Sequence, residues 1–251
     1  MNTPTIIMFD LDDTLAESKA PLTTEMAALV ARLTLQKKVA VISGGGLPQF
    51  LKQIVDRLPS DANLSNLYLL PTSGAALYTY EAGEWKPVYI EHLSEEEAGT
   101  IRKVLQTAAE ESGCIDFSQP SWGERIEYRG SQVSLSALGQ QAPTEAKKVW
   151  DPDHAKRQAI VAIAAPQLPM YSIKIGGATT IDVTKKGIDK AYGVRKLSEF
   201  LHEPISSMLF IGDALFPGGN DEIVKQSGIE TKEVKNPADT AVVIEGMLNA
   251  S

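Results

Sequence analysis

Three short runs, Ile6-Ile7-Met8-Phe9, Val39-Ala40-Val41-Ile42 and Leu67-Tyr68-Leu69-Leu70, are almost wholly apolar. Runs of four bounded by polar residues predict strands buried on both faces. Between them the apolar positions follow a helical period. Leu22, Met26, Leu29, Val30 and Leu33 form one stripe, and Leu47 to Leu58 predicts a second helix, with Pro48 tolerated in its first turn. Strand, helix, strand, helix, strand implies a parallel sheet with helices on its faces.

The pattern then changes. Ala76 to Tyr80 and Trp85 to Ile90 predict a hairpin around Glu81-Ala82-Gly83-Glu84. Ser94 and Glu97 have capping-box spacing ahead of a helix that carries Ile101, Val104, Leu105 and Ala108 and ends near Gly113. Arg125 to Tyr128 and Gln132 to Ser136 alternate like half-exposed antiparallel strands. Asp151-Pro152 predicts a helix start, and Tyr171 to Ile175 with Thr179 to Val183 predicts a hairpin across Gly176-Gly177. Helices and antiparallel strands of this kind read as an α+β unit inserted into the α/β unit. The tail returns to the first pattern, with a helix from about Gly187 to Leu201, a strand over Ser207 to Ile211, a helix near Asn220, a strand over Thr231 to Lys235 and a helix after Pro237.

Composition narrows this little. The 251 residues, net charge of −8 and ordinary apolar content suit one or two globular domains. The single Cys114 excludes an intramolecular disulfide framework and is expected to be a small buried apolar residue. No stretch approaches the roughly 20 apolar residues of a membrane helix, and Met1 to Asp10 lacks the positive region of a secretory signal, so the expectation is a cytoplasmic protein without a membrane partner. The acidic balance argues against nucleic acid. It is compatible with an anionic small substrate if the acidic residues hold a cation.

Candidate chemistry lies at the strand ends, where ligands sit in open parallel sheets. Asp10-Leu11-Asp12-Asp13-Thr14 puts three carboxylates within four residues, a repulsive cluster that a hard cation would offset. Ser43-Gly44-Gly45-Gly46 is a turn whose hydroxyl and amides suit an anionic oxygen. Lys190 falls early in a predicted helix. Gly212-Asp213 and Asn220-Asp221 again put acids after a buried strand. Together these suit phosphoryl transfer with Mg²⁺, in which one carboxylate attacks phosphorus and a second serves as acid and base. His92, His154 and His202 share no spacing and read as surface residues.

In order, Asp10-Leu11-Asp12-Asp13-Thr14, Ser43, Lys190 and Gly212-Asp213…Asn220-Asp221 resemble the four motifs of the haloacid dehalogenase (HAD) superfamily. That resemblance implies a Rossmannoid three-layer αβα core. The insertion resembles the C2-type cap of the Cof-like IIB subgroup. The expected division is a core of residues 1–87 and 184–251 and a cap of residues 88–183. Phe216-Pro217-Gly218-Gly219-Asn220-Asp221, Gly123…Ile126-Glu127-Tyr128-Arg129 and Gly176-Gly177…Thr180-Ile181-Asp182-Val183 are most similar to eukaryotic-type phosphomannomutases.

The resemblance implies Asp10 as nucleophile and Asp12 as acid/base, with Ser43, Gly44 and Lys190 on the phosphate. It implies Mg²⁺ on Asp10, the Asp12 carbonyl and Asp213, with Asp221 nearby or behind them. Glu127, Arg129, Thr180 and Asp182 are the implied cap residues for a small phosphate ester, and pairing of two copies through the cap is a further expectation. Trp122 is expected to pack, with stacking on a sugar face as the alternative. Trp122 and Gln140 stand where those mutases carry arginines for a distal phosphate, and Ala214 stands where they carry lysine. Each Arg–phosphate pair contributes about 1.5–3 kcal/mol. The reading from sequence is therefore a sugar-phosphate phosphatase acting through an aspartyl phosphate. A phosphohexomutase is the alternative, and a non-catalytic sugar-phosphate binding protein the second alternative.

Overall fold

The computed structural model describes residues 4–249. The chain divides into two compact units. One comprises the chain up to Ile90 and from Asp189 onward, and the other is Glu91–Ile188. The cuts fall a few residues beyond 87/88 and 183/184, because β5 (Glu84–Ile90) runs to the first cut and β9 (Thr180–Lys185) runs past residue 183.

The first unit is built on a seven-stranded sheet. In chain order its strands are β1 (Ile6–Asp10), β2 (Lys38–Ile42), β3 (Leu67–Leu70), β4 (Ala76–Glu81), β5, β10 (Met208–Gly212) and β11 (Glu230–Glu233). The spatial order is β11-β10-β1-β2-β3-β4-β5. The five strands from β11 to β3 are parallel, and the β4–β5 hairpin extends the edge antiparallel, so this hairpin belongs to the core sheet and not to the insertion. All five residues of β1 are buried, as a central strand covered on both faces requires. Ile7 and Phe9 pack with α1 (Thr24–Gln36) and α8 (Pro237–Asn249), while Ile6 and Met8 pack on the other face with Val194 and Leu197 of α7 (Lys190–Leu201). Alternation along one strand thus creates the three layers. The α/β class read from sequence is the observed one.

Several elements start or stop away from their predicted ends, each for a local reason. α2 runs only Leu47–Gln53, because the Gln53 carbonyl accepts from Leu22 N–H at 2.9 Å instead of continuing the helix. A 3₁₀ turn follows at Val55–Arg57. α7 starts at Lys190 and not Gly187, since the Asp189 carboxylate caps it by accepting from Tyr192 N–H at 2.9 Å. The helix expected near Asn220 is only a 3₁₀ segment, Glu222–Ser227, ended by Gly228 in the left-handed region. Between β3 and β4, a single turn α3 (Pro71–Gly74) brings Gly74 against Gly193 of α7. A Cβ on Gly74 would lie 2.7 Å from the Gly193 Cα, so glycine there permits the approach.

The second unit contains a four-stranded antiparallel sheet, β6 (Ile126–Tyr128), β7 (Gln132–Ser136), β9 and β8 (Tyr171–Gly176) in spatial order. The helices α4 (Glu95–Glu111) and α6 (Ala155–Ala164) share one apolar cluster with Val133, Leu135, Ile181 and Val183. The predicted capping box is present, with Glu97 N–H donating to Ser94 Oγ at 3.1 Å and Ser94 N–H to Glu97 Oε2 at 2.7 Å. β7 is buried throughout, including Gln132, Ser134 and Ser136, where the alternation had suggested a half-exposed strand. The helix expected from Asp151-Pro152 begins at Ala155. Asp151 lies before it and accepts from Lys156 N–H (2.9 Å) and Arg157 N–H (3.2 Å). A short α5 (Thr144–Trp150) precedes it and has no buried residue to mark it in the sequence.

Cys114 is only partly buried, because it sits in the turn after α4 with its thiol on the Ser112 carbonyl at 3.6 Å. Trp122 is 49% exposed and does not pack as expected. The three histidines are exposed, as expected. No helix among the described residues is long and apolar enough to cross a membrane.

Candidate active site

The register of the core sheet aligns three strand ends. Phe9 pairs with Ile211 and Asp10 with Ile42, so Asp10 ends β1 beside Ser43 and Asp213, which follow the carboxyl ends of β2 and β10. The fourth group arrives on α7, whose first residue is Lys190.

Asp10 is 3% exposed. Beyond it the chain folds back on itself, with Asp13 N–H donating to Ala16 O at 2.6 Å and Leu15 N–H to Leu11 O at 2.9 Å. This loop returns Lys19 N–H to Asp12 Oδ1 at 2.6 Å, which fixes the second carboxylate. Asp13 and Lys19 are in the left-handed region, a strain of about 1–3 kcal/mol each that the loop's hydrogen bonds hold in place. Asp13 is exposed, and its carboxylate accepts from Ser18 N–H at 3.2 Å, so it caps the loop.

Ser43 is buried, with its Oγ 3.5 Å from Asp12 Oδ2 and 3.4 Å from the Gly45 amide. Gly44 lies in the same turn. Lys190 Nζ sits 2.5 Å from Asp10 Oδ1 and 2.5 Å from Asp221 Oδ1, with all three residues buried. Asp221 Oδ2 accepts from Ala214 N–H at 3.2 Å. A Cβ at Gly212 would lie 2.4 Å from that oxygen, which is why glycine ends β10. Asp213 Oδ1 accepts from Thr14 Oγ1 at 3.1 Å. Thr14 and the Lys19 amide were not singled out as site groups from sequence. Thr14 was legible as the last residue of the Asp10–Thr14 motif, and the Lys19 amide had no sequence signal.

Asp10, Asp213 and Asp221 each offer a carboxylate oxygen, all within 4.8 Å of one another. Burial pushes Asp10 well above the ordinary carboxylate range despite the pull of Lys190, and Asp221 adds to the rise. Burial and the Asp221 charge lift Asp213, and burial lifts Asp12. Burial works against the Lys190 charge, but Asp10 and Asp221 outweigh it and hold the ammonium above its usual range. Three crowded acids therefore share one ammonium, which contacts Asp10 and Asp221. Three hard oxygen donors with one compensating charge fit a divalent cation that takes oxygen ligands. Asp221, expected nearby or behind the ligands, is a full member of this cluster.

The expected cap residues lie on the polar face of the second unit's sheet. The register sets Glu127, Ser134, Asp182 and Lys174 opposite one another. Asp182 Oδ1 accepts from Ser134 Oγ (2.6 Å) and Gln132 Nε2 (2.8 Å). Arg129 is held by Glu127 Oε2, 2.8 Å from Nε and 2.7 Å from Nη2. Thr180 pairs with Ser136 in register. Arg125, not singled out from sequence, donates from Nε to Ala137 O at 3.1 Å.

A family model described as eukaryotic phosphomannomutase matches residues 26–250. Phosphomannomutase 2 of Dictyostelium discoideum is 28% identical over 97% of this chain and 96% of its own length. The phosphomannomutase of Saccharomyces cerevisiae is 24% identical over 98% and 94%. Among solved structures, a truncated Plasmodium falciparum IMP-nucleotidase superposes with a TM-score of 0.71 at 16% identity, covering 99% of this chain and 71% of that one. That likeness shows the fold alone, an α/β core.

Proposed function

The chain belongs to the eukaryotic phosphomannomutase family, as an enzyme of the HAD superfamily, and from that premise we propose that it is a Mg²⁺-dependent phosphohexomutase. It would move a phosphoryl group between the 1- and 6-positions of a hexose. The observation that carries this reading is the buried Asp10–Lys190–Asp221 arrangement beside Asp12, in a chain that follows the mutase family from residue 26 to residue 250.

In the proposed reaction a carboxylate oxygen of Asp10 attacks phosphorus and the P–O bond to the sugar breaks. Asp12, whose hold on a proton is strengthened by burial, gives a proton to the departing sugar oxygen. In the reverse half-reaction a sugar hydroxyl attacks the aspartyl phosphate, Asp12 takes the hydroxyl proton and the Asp10 carboxylate is regenerated. Ser43, the Gly44 turn and Lys190 hold the phosphoryl oxygens. Asp10, the Asp12 carbonyl, Asp213 and Asp221 would hold Mg²⁺, with Thr14 orienting Asp213. A bound Mg²⁺ would supply positive charge against the repulsion between carboxylate and phosphate. Arg129, Glu127, Thr180 and Asp182 are assigned to the far end of the sugar phosphate.

The second reading is hydrolysis of a single phosphate ester. It is favoured by Trp122 and Gln140 at two places where the mutase cap pattern carries arginine, since a bisphosphate intermediate must be held at both ends. The family match weighs more heavily, because it spans the cap as well as the core. Both readings require turnover of a phosphate ester. A panel of esters assayed with Mg²⁺ is expected to give turnover of at least one hexose phosphate. Folded protein that turns over none of them, while binding one tightly, would contradict both in favour of a non-catalytic binding protein.

A further inference from the structure

Arg157 is the largest fully buried side chain among the described residues, at 1% exposure, although it sits in the first turn of α6 among the polar neighbours Lys156 and Gln158. All three nitrogens of its guanidinium donate to groups within the second unit. Nε donates to Asp151 Oδ2 at 2.7 Å and Nη2 to the Asp151 carbonyl at 3.1 Å. Nη1 donates to the carbonyls of Gly176 (3.2 Å) and Gly177 (2.6 Å). Asp151 in turn receives the first amides of α6, so helix, carboxylate and guanidinium form one block.

The two carbonyls belong to the β8–β9 turn, where Gly177 is in the left-handed region. A glycine pair at a hairpin tip has few intrinsic restraints, since it lacks side chains and loses the most freedom on ordering. Here an arginine supplies the restraint from beneath. The residues that follow are Thr179, whose carbonyl accepts from Ala137 N–H at 3.0 Å, then Thr180 and Asp182.

We infer that Arg157 is a positioning residue for sugar-phosphate selection, acting through the Gly176-Gly177 turn that it clamps to α6. This rests on the assignment of Thr180 and Asp182 to the substrate's far end. A planar fork is needed, because one group must reach a carboxylate and three carbonyls at once. A lysine keeps the charge but cannot span them.

The test is the kinetics of Arg157→Lys and of the double variant D151L/R157L, which removes both buried charges and so leaves neither unpaired. KM for the hexose phosphate turned over by the wild type should rise about 10- to 100-fold in both variants, with kcat nearly unchanged. Thermal midpoints are read alongside. A merely structural role would lower kcat in step with the folded fraction at constant KM, and that result overturns the inference while leaving the enzyme's function intact. Wild-type protein with no turnover of any hexose phosphate overturns the functional reading, and this inference with it.

Discussion

Replacing Asp10 by Asn should abolish turnover, with a loss of at least about 1,000-fold, as expected when a nucleophile that works as part of a unit is removed. The reason is local. Asn is nearly isosteric, so β1 keeps its register and Lys190 keeps its 2.5 Å contact with Asp221. The amide has no anionic oxygen to attack phosphorus, so no acyl phosphate forms. Removing one of three crowded acids also relieves repulsion, so the thermal midpoint should hold or rise. Steady-state kinetics and thermal melting of Asp10→Asn check this. Residual activity near the wild-type level would show that another group is the nucleophile.

The second large effect is at Asp12. Asp12→Asn should lower kcat about 100- to 10,000-fold for a sugar phosphate, the usual contribution of a positioned acid/base. The Asn side-chain oxygen can still accept from Lys19 N–H, so the loop from Asp12 to Lys19 should stay closed. What is lost is the proton for the leaving sugar oxygen. An aryl phosphate whose leaving group needs no protonation should therefore lose far less. Comparing the two esters separates proton transfer from structural damage. Equal losses on both would mean that Asp12 orients the site and does not donate.

Much of this fold was legible in the sequence because its core strands are buried on both faces. Runs such as Ile6–Phe9 and Val39–Ile42 admit few other readings. The acids at the strand ends were legible for a related reason, since carboxylates clustered beside a buried strand are costly without a cation. Features held by hydrogen bonds between distant residues left no periodic trace. Nothing around Asp151 or Arg157 signals that they bury a pair, because a charged residue in a first helical turn ordinarily faces water. Ser134 and Gln132 looked solvent-facing by alternation, yet both are buried and serve Asp182 across the sheet. The helix expected near Asn220 is replaced by a 3₁₀ segment because Asp221 turns inward to Lys190, a partner 31 residues away.

The choice between a mutase and a hydrolase turns on the second unit. The family match and the cap pattern around Arg129 and Asp182 favour a hexose phosphate held at both ends. On the proposed reading, Trp122 and Gln140 stand in place of two of that pattern's arginines, so the retained residues would carry more of the binding. A weaker hold on the bisphosphate should appear as partial leakage to inorganic phosphate, not as loss of interconversion.

Interconversion is tested most directly by phosphorus NMR of a hexose 1-phosphate incubated with the enzyme, Mg²⁺ and a catalytic amount of hexose 1,6-bisphosphate. The expected result is growth of the 6-phosphate signal at the expense of the 1-phosphate, accelerated by the bisphosphate, with inorganic phosphate a minor product. Growth of inorganic phosphate alone, at a rate indifferent to the bisphosphate, would contradict it.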